Sequence, residues 1–294
     1  MELHGLMSAL ATPFTAGGAS LDEAALRSHV DSQIQGGVHA LIPCGSTGEF
    51  TTLTVDERRL VTEIVIDQAA GRVPVVPHVG ALTARDAIAL GRHAEEKGAD
   101  ALMVVAPFYE ALPMEDVLGF YRKVAGAVSV PIMVYNAPLA TGVNIDPDTM
   151  ASLAREVEQI KYVKDTSCDM HQAGILIHEY GDAFKTFVGL DTLYFTSLAV
   201  GGAGAINGAA NLIAPELVAV WDAIQANNLA DARKAWNLAY PVMRFLTTVP
   251  YNAGVKAGLD ILGKSFGDPR EPLGALPAEA RSPLEAALKR IASA

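Results

Sequence analysis

Leu41-Ile42-Pro43-Cys44-Gly45-Ser46-Thr47-Gly48-Glu49-Phe50 is an apolar run that ends in a glycine-bracketed pair of hydroxyls and is followed at once by a helix signal. A strand that stops at Gly45 leaves Ser46 and Thr47 on a sharp turn, with two hydroxyls and backbone N–H groups free to hold a small anion such as a carboxylate. Behind the turn, Thr54 and Glu57 have the spacing of a capping box, and the pattern that follows predicts a helix over 54–70. Taken alone, a Gly-Ser-Thr-Gly turn is also compatible with a plain βα connection. Two strand ends further along the chain favour chemistry.

Outward from this stretch, apolar strand-like runs recur at 6–11, 40–43, 73–79, 101–105, 130–135, 160–164, 184–188 and 203–207, each followed by a segment of helical period. The repeat is about thirty residues, the length of one βα unit, and continuously apolar strands imply a parallel sheet covered by helices. Eight such units predict an α/β fold, a closed (β/α)₈ TIM barrel. Ser20 with Glu23, Thr83 with Asp86, and Asp146 followed by Pro147 mark helix starts, while Gly98 and Gly181 mark ends. From about residue 212 the chain runs on longer than a closing helix requires. It is divided here as 1–225, a catalytic barrel, and 226–294, an appended C-terminal helical bundle expected to pack on the barrel, with 264–278 as an extended proline-rich connection.

A chain of 294 residues, half of them apolar, can bury a sizeable core. Its 22 basic against 33 acidic side chains give a net charge of −11, which opposes nucleic acid and anionic membrane surfaces as partners. The chain contains two cysteines, Cys44 and Cys168, and no secretory signal or long apolar segment opens it, so the cytoplasm is the expected compartment and both are expected as free thiols. Both stand beside turns of interest, although a small buried space-filler is the ordinary role of such a residue. The seven histidines show no metal-ligand spacing.

Catalytic groups of such barrels sit at the carboxyl ends of the strands. The proposed sixth strand ends in Tyr162-Val163-Lys164-Asp165-Thr166-Ser167, and the fifth in Tyr135-Asn136-Ala137-Pro138-Leu139-Ala140-Thr141-Gly142. An amine attacks a ketone only when neutral, and an ordinary lysine is neutral in about one molecule in a few thousand at pH 7, so a nucleophilic lysine needs a desolvated barrel mouth. Lys161, three residues earlier, has the place of a surface charge. Consecutive parallel strands are neighbours, which sets Tyr135 beside Lys164 as a proton carrier. The fourth strand ends in Pro107-Phe108-Tyr109, a further phenol on the same face. Gly201-Gly202-Ala203-Gly204 occupies a position where barrels bind phosphate, but with no basic residue near it, it is read as a tight turn.

Gly45-Ser46-Thr47-Gly48-Glu49 with Leu53-Thr54 and Glu57-Arg58, then Tyr135-Asn136 with Pro138, then Lys164 in Val-Lys-Asp-Thr-Ser, together resemble the pyruvate-dependent class I aldolases and lyases typified by dihydrodipicolinate synthase and N-acetylneuraminate lyase. The resemblance spans essentially the whole chain. It implies a lyase in which Lys164 forms a Schiff base with a 2-oxo acid, Tyr135 is the principal acid/base, Ser46 and Thr47 hold the carboxylate and join the proton relay, with Ser46 counted as catalytic, and Gly48 belongs with Thr47 to the substrate-binding set. It further implies that Tyr109 completes a proton relay from a neighbouring subunit of a homotetramer, and that Thr166, Gly189, Asp191 and Ile206 line the substrate cavity. It implies no metal and no organic cofactor, with pyruvate as product or co-substrate.

Departures narrow the activity. Ala140 stands where the synthases carry an arginine for the aldehyde's carboxylate, Thr192 follows Asp191 where the sialic acid lyases carry a glutamate, and Gly208 replaces an expected serine. The expected reaction is aldol cleavage to pyruvate, the reverse condensation, or dehydration of a 2-oxo-3-deoxy sugar acid. Dihydrodipicolinate synthase activity and a non-catalytic keto-acid sensor stay open as alternatives.

Overall fold

The computed structural model describes residues 2–294. Seven parallel strands run β1 (Gly5–Ala9), β2 (Ala40–Ile42), β3 (Leu102–Val105), β4 (Ile132–Asn136), β5 (Ile160–Asp165), β6 (Lys185–Val188) and β7 (Gly204–Asn207). Their order across the sheet is β2-β1-β7-β6-β5-β4-β3. The gap between β3 and β2 is filled by residues 74–79, the expected third strand. There the ladder is broken into single bridges, Leu41 to Val75 and His78 to Met103. Pro74 and Pro77 lack the N–H groups that a regular strand would donate. The remaining bonds, Val76 N to Leu41 O (2.9 Å), His78 N to Pro43 O (3.0 Å) and Val79 N to Met103 O (2.9 Å), still close the barrel.

Both faces of each strand are apolar because both are covered. Met7, Ile42, Met103, Met133, Tyr162, Phe187 and Ile206 fill the barrel interior, whereas Leu6, Leu41, Leu102, Val104, Ile132, Val134 and Val163 face the helices. Full burial of a Leu, Ile or Val side chain contributes about 1.5–3 kcal/mol, so a register slip that exchanged the faces would misfit every strand. This alternation turns Tyr135 and Lys164 inward at the strand ends. The two residues are register partners between β4 and β5.

The outer layer is built from α1 (Glu23–Gln35), α2 (Val55–Ala69), α3 (Ala84–Glu96), α4 (Met114–Ala125), α5 (Pro138–Thr141), α6 (Pro147–Glu156), α7 (Met170–His178), α8 (Tyr194–Ala199) and α9 (Ala210–Gln225). Thr54 and Glu57 form the full capping box of α2, and Thr83 and Asp146 cap α3 and α6. The pairing of Ser20 with Glu23 does not form. Asp22 caps α1 by accepting from Ala25 N, and Ser20 is held by Thr15 instead. The chain continues through α10 (Leu229–Leu246), α11 (Tyr251–Ile261) and α12 (Ser282–Ala292). Val242 and Met243 of α10 and Val255 and Leu259 of α11 share one apolar cluster with Leu6 of β1 and Leu217 of α9.

Between α11 and α12 the chain is extended and strapped to the barrel by charge. Arg270 makes a two-pronged ion pair with Glu57 (2.7 and 2.8 Å), donates to Gly18 O (2.8 Å), and stacks 4.2 Å over the Phe14 ring. Lys256 of α11 meets Glu49 at 2.8 Å with both side chains buried. Glu49, directly after the Gly45–Gly48 turn, also accepts from Arg270 N (2.9 Å). The turn and the C-terminal region are thus locked together. Among the described residues no helix is long and apolar enough to cross a membrane.

Candidate active site

A cavity of about 440 Å³ opens at the carboxyl ends of the strands. It is lined by Ser46, Thr47, Tyr135, Lys164, Thr166, Gly189, Asp191 and Ile206, eight of the residues expected from the sequence. Lys164, 5 % exposed, reaches past β4, and its Nζ lies 4.1 Å from the centroid of the Tyr135 ring. Its stem needs Gly189: a Cβ there would fall 2.7 Å from Lys164 Cε and 1.9 Å from Thr166 Oγ1.

Burial pushes the pKa of the Tyr135 phenol up, but the Lys164 charge and the nearby hydroxyls of Ser46 and Thr166 more than offset it. The phenol is held below its ordinary value. Thr166 Oγ1 is itself buried without a hydrogen-bond partner, which leaves it for a ligand. Under the phenol lies His78, whose ring centroid is 6.4 Å from that of Tyr135 and whose Nδ1 meets Cys44 O at 2.9 Å. Burial, then the Arg58 charge, hold His78 well below the usual imidazole range, so it is neutral.

Turn geometry explains the anion end. Cys44 and Glu49 both adopt positive φ, 59° and 57°, and fold the chain so that Ser46 and Thr47 project. Among the described residues the N–H groups of Ser46 and Thr47 make no hydrogen bond. With the two hydroxyls they form a set of donors suited to a carboxylate. Cys44 sits behind them as a packed side chain, its thiol pushed up to about 11 by burial. Gly48 does not line the cavity. It backs the turn, where a Cβ would fall 3.0 Å from Leu10 O, and its carbonyl accepts from Thr12 Oγ1 at 2.8 Å. Tyr109 is likewise outside the cavity, 81 % exposed on the loop after β3.

A polar network fixes the strand ends from outside. Asp165 accepts from Asn136 (2.9 Å), Gln172 (3.0 Å) and Ser167 (2.6 Å), and Asn136 Oδ1 accepts from Ile145 N (3.1 Å). Gly189 N donates to Asp165 O at 2.8 Å, so the same network holds the floor beneath Lys164. Asp191 forms the far wall. It accepts from Gly208 N and Ala209 N (3.1 Å each) and from the Tyr251 phenol. Burial raises its pKa to about 6 against the pull of these donors.

Sequence reading missed Pro250, Tyr251, Asn252, Leu273 and Gly274, all of which line the cavity from the C-terminal region. Asn252 Nδ2 donates to Ser46 O at 3.0 Å. The only local signal was a proline followed by a tyrosine at a helix start. Among the described residues there is no group of three or more His, Cys, Asp or Glu able to hold a metal.

Comparison with known proteins matches residues 2–291 to the dihydrodipicolinate synthetase family. A 4-hydroxy-tetrahydrodipicolinate synthase of Methanopyrus kandleri is 37% identical over 291 residues, covering 99% of this chain and 97% of the relative. An uncharacterised DapA-like lyase of Halobacterium salinarum is 38% identical over 290 residues, covering 98% and 94%. The crystal structure of YagE, a prophage protein of E. coli K12 in complex with pyruvate, superposes with a TM-score of 0.94 at 28% identity over 98% of each chain.

Proposed function

The chain belongs to the dihydrodipicolinate synthetase family and is a lyase of the class I aldolase type, and on that premise we propose that it cleaves or forms a carbon–carbon bond, or eliminates water, in a hydroxylated 2-oxo acid through an imine on Lys164. The observation that carries this reading is the register pairing of Tyr135 with Lys164, with Nζ 4.1 Å from the ring. In the cleavage direction the neutral amine adds to the keto carbon, and water departs with a proton relayed by Tyr135. Tyr135 then takes the proton of the C4 hydroxyl, the C3–C4 bond breaks, and its electron pair passes into the iminium to give an enamine. Protonation of the enamine and hydrolysis release pyruvate and return the amine. Ser46 and Thr47 hold the carboxylate throughout. The reaction needs no cofactor, since the protonated imine is the electron sink. This reading sets aside the bare keto-acid sensor.

Two observations support the substrate choice. Ala140, exposed on α5, offers no donor to a second carboxylate. A two-pronged arginine contact is the expected device for such a group. Asp191 and Thr166 suit hydroxyls instead. The second reading, 4-hydroxy-tetrahydrodipicolinate synthase, is favoured by the names of the relatives at 35–37% identity. Coupled assays with pyruvate plus aspartate semialdehyde, beside a panel of 2-oxo-3-deoxy acids, separate the two. We expect the higher kcat/KM for a hydroxylated compound, and a higher value for the semialdehyde than for every compound in the panel would install the second reading.

We further propose a homotetramer in the cytoplasm, with Tyr109 supplied to the relay of a neighbouring subunit. Its exposure on the loop after β3, and that of Leu139 at 84 % after β4, support a partner surface there. In this proposal residues 1–225 carry the chemistry and 226–294 complete the cavity wall.

A further inference from the structure

The far wall of the cavity is assembled from two parts of the chain that share no repeat unit. Asp191 follows β6, and Tyr251 is the first residue of α11, directly after Pro250. A carboxylate has about four lone-pair sites, and Asp191 has committed three of them, to Gly208 N, Ala209 N and the Tyr251 phenol. One acceptor site is left on a group that lines the cavity. The phenol occupies space that a side chain after β7 would otherwise take, since a Cβ at Gly208 would fall 2.4 Å from its oxygen. Its carrier is rigid. Asn252 bonds the anion turn through Ser46 O, and Lys256 is buried against Glu49.

We propose that Tyr251 is the positioning residue for substrate choice: its phenol holds Asp191 as an ionised acceptor for a hydroxyl on the distal half of a 2-oxo acid. This role rests on the imine chemistry of Lys164. An anionic acceptor in a desolvated wall attracts hydroxyl donors and repels a second carboxylate. The groups facing Asp191 are Lys164 from β5, Tyr251 from α11, and the amides of Gly208 and Ala209; Tyr135 acts on Tyr251 from β4. Burial alone drives Asp191 toward its neutral form, and the phenol's hydrogen bond is one of the contributions that oppose this. Tyr251→Phe removes that contribution and leaves the ring. The Asp191 carboxyl then takes up its proton at a higher pH than in the wild type, and a protonated carboxyl is a poorer acceptor.

The test offers wild type and Tyr251→Phe an equimolar mixture of 2-oxo-3-deoxygluconate and 2-oxohexanoate, with borohydride present, and reads the adducts on Lys164 by mass spectrometry. A pyruvate adduct is counted with the hydroxylated compound. Wild type should prefer the hydroxylated compound, and the variant should lose about tenfold of that preference, the worth of one charge-assisted hydrogen bond. The pH below which the preference declines should move up in the variant. In an Asp191→Asn background the same substitution should have no further effect, because Tyr251 acts through Asp191. An unchanged preference, or an equal loss for both compounds, overturns the role of Tyr251. Failure of wild type to trap pyruvate at all removes the Lys164 reading instead, so the two failures are distinct.

Discussion

Adding one methyl group at position 189 places a carbon where two side chains already are. In Gly189→Ala the new Cβ would lie 1.9 Å from Thr166 Oγ1, 2.7 Å from Lys164 Cε and 3.1 Å from Thr166 Cβ. Turning the Thr166 hydroxyl away relieves only the shortest contact, since the contacts with Thr166 Cβ and Lys164 Cε remain and Lys164 is closed in by the Tyr135 ring. Overpacking of this kind costs about 1–3 kcal/mol of stability. For a chain of this size that lowers Tm by about 2–4 °C per kcal/mol. The larger effect falls on chemistry, because moving a reacting atom by about 1 Å costs about a hundredfold in rate. The rate of borohydride trapping of pyruvate should therefore drop about a hundredfold while the fold persists, as read by circular dichroism and a melting curve. Gly189→Ala with Thr166→Ala should recover only part, since the 2.7 Å contact with Lys164 remains. A single variant that traps pyruvate at the wild-type rate, with unchanged Tm, would refute the packing of Lys164 under Gly189.

Tyr135→Phe should lower kcat by about two to four orders of magnitude and spare carboxylate binding, because it deletes a proton carrier and little volume; near-normal kcat would show that Tyr135 only packs. Glu49→Gln leaves the buried Lys256 without its anion and should cost about 3–5 kcal/mol in a urea titration, and a loss below about 1 kcal/mol would show that the pair contributes little. Sedimentation should find an oligomer, and mixing inactive Tyr109→Phe with inactive Lys164→Ala chains should restore some activity; a fully active monomer contradicts a Tyr109 shared between subunits.

How much of this was legible in the sequence depends on how local each cause is. Lys164 and Tyr135 were readable because each ends an apolar strand, consecutive parallel strands are neighbours, and the motifs around them carry the family resemblance; the fold brings both to one cavity. The capping box at Thr54 was readable for the same reason. The third strand was located but not its irregularity, although Pro74 and Pro77 carry that information. At the first helix two candidate caps compete within three residues, and Asp22 wins because Ser20 is engaged by Thr15. Tyr251 and Asn252 were out of reach, since their partners Asp191 and Ser46 lie 60 and 206 residues away. A lysine among the small and apolar residues 253–259 was the one clue that α11 carries a buried charge, and Glu49 answers it.

The central claim is that Lys164 is the imine-forming residue, and reductive trapping tests it most directly. Incubation with pyruvate and borohydride, followed by digestion and mass spectrometry, should find a stable secondary amine on Lys164. Lys161, exposed on the same strand, should carry none. An adduct on Lys161 with Lys164 unmodified, or no adduct on either lysine, would contradict the account.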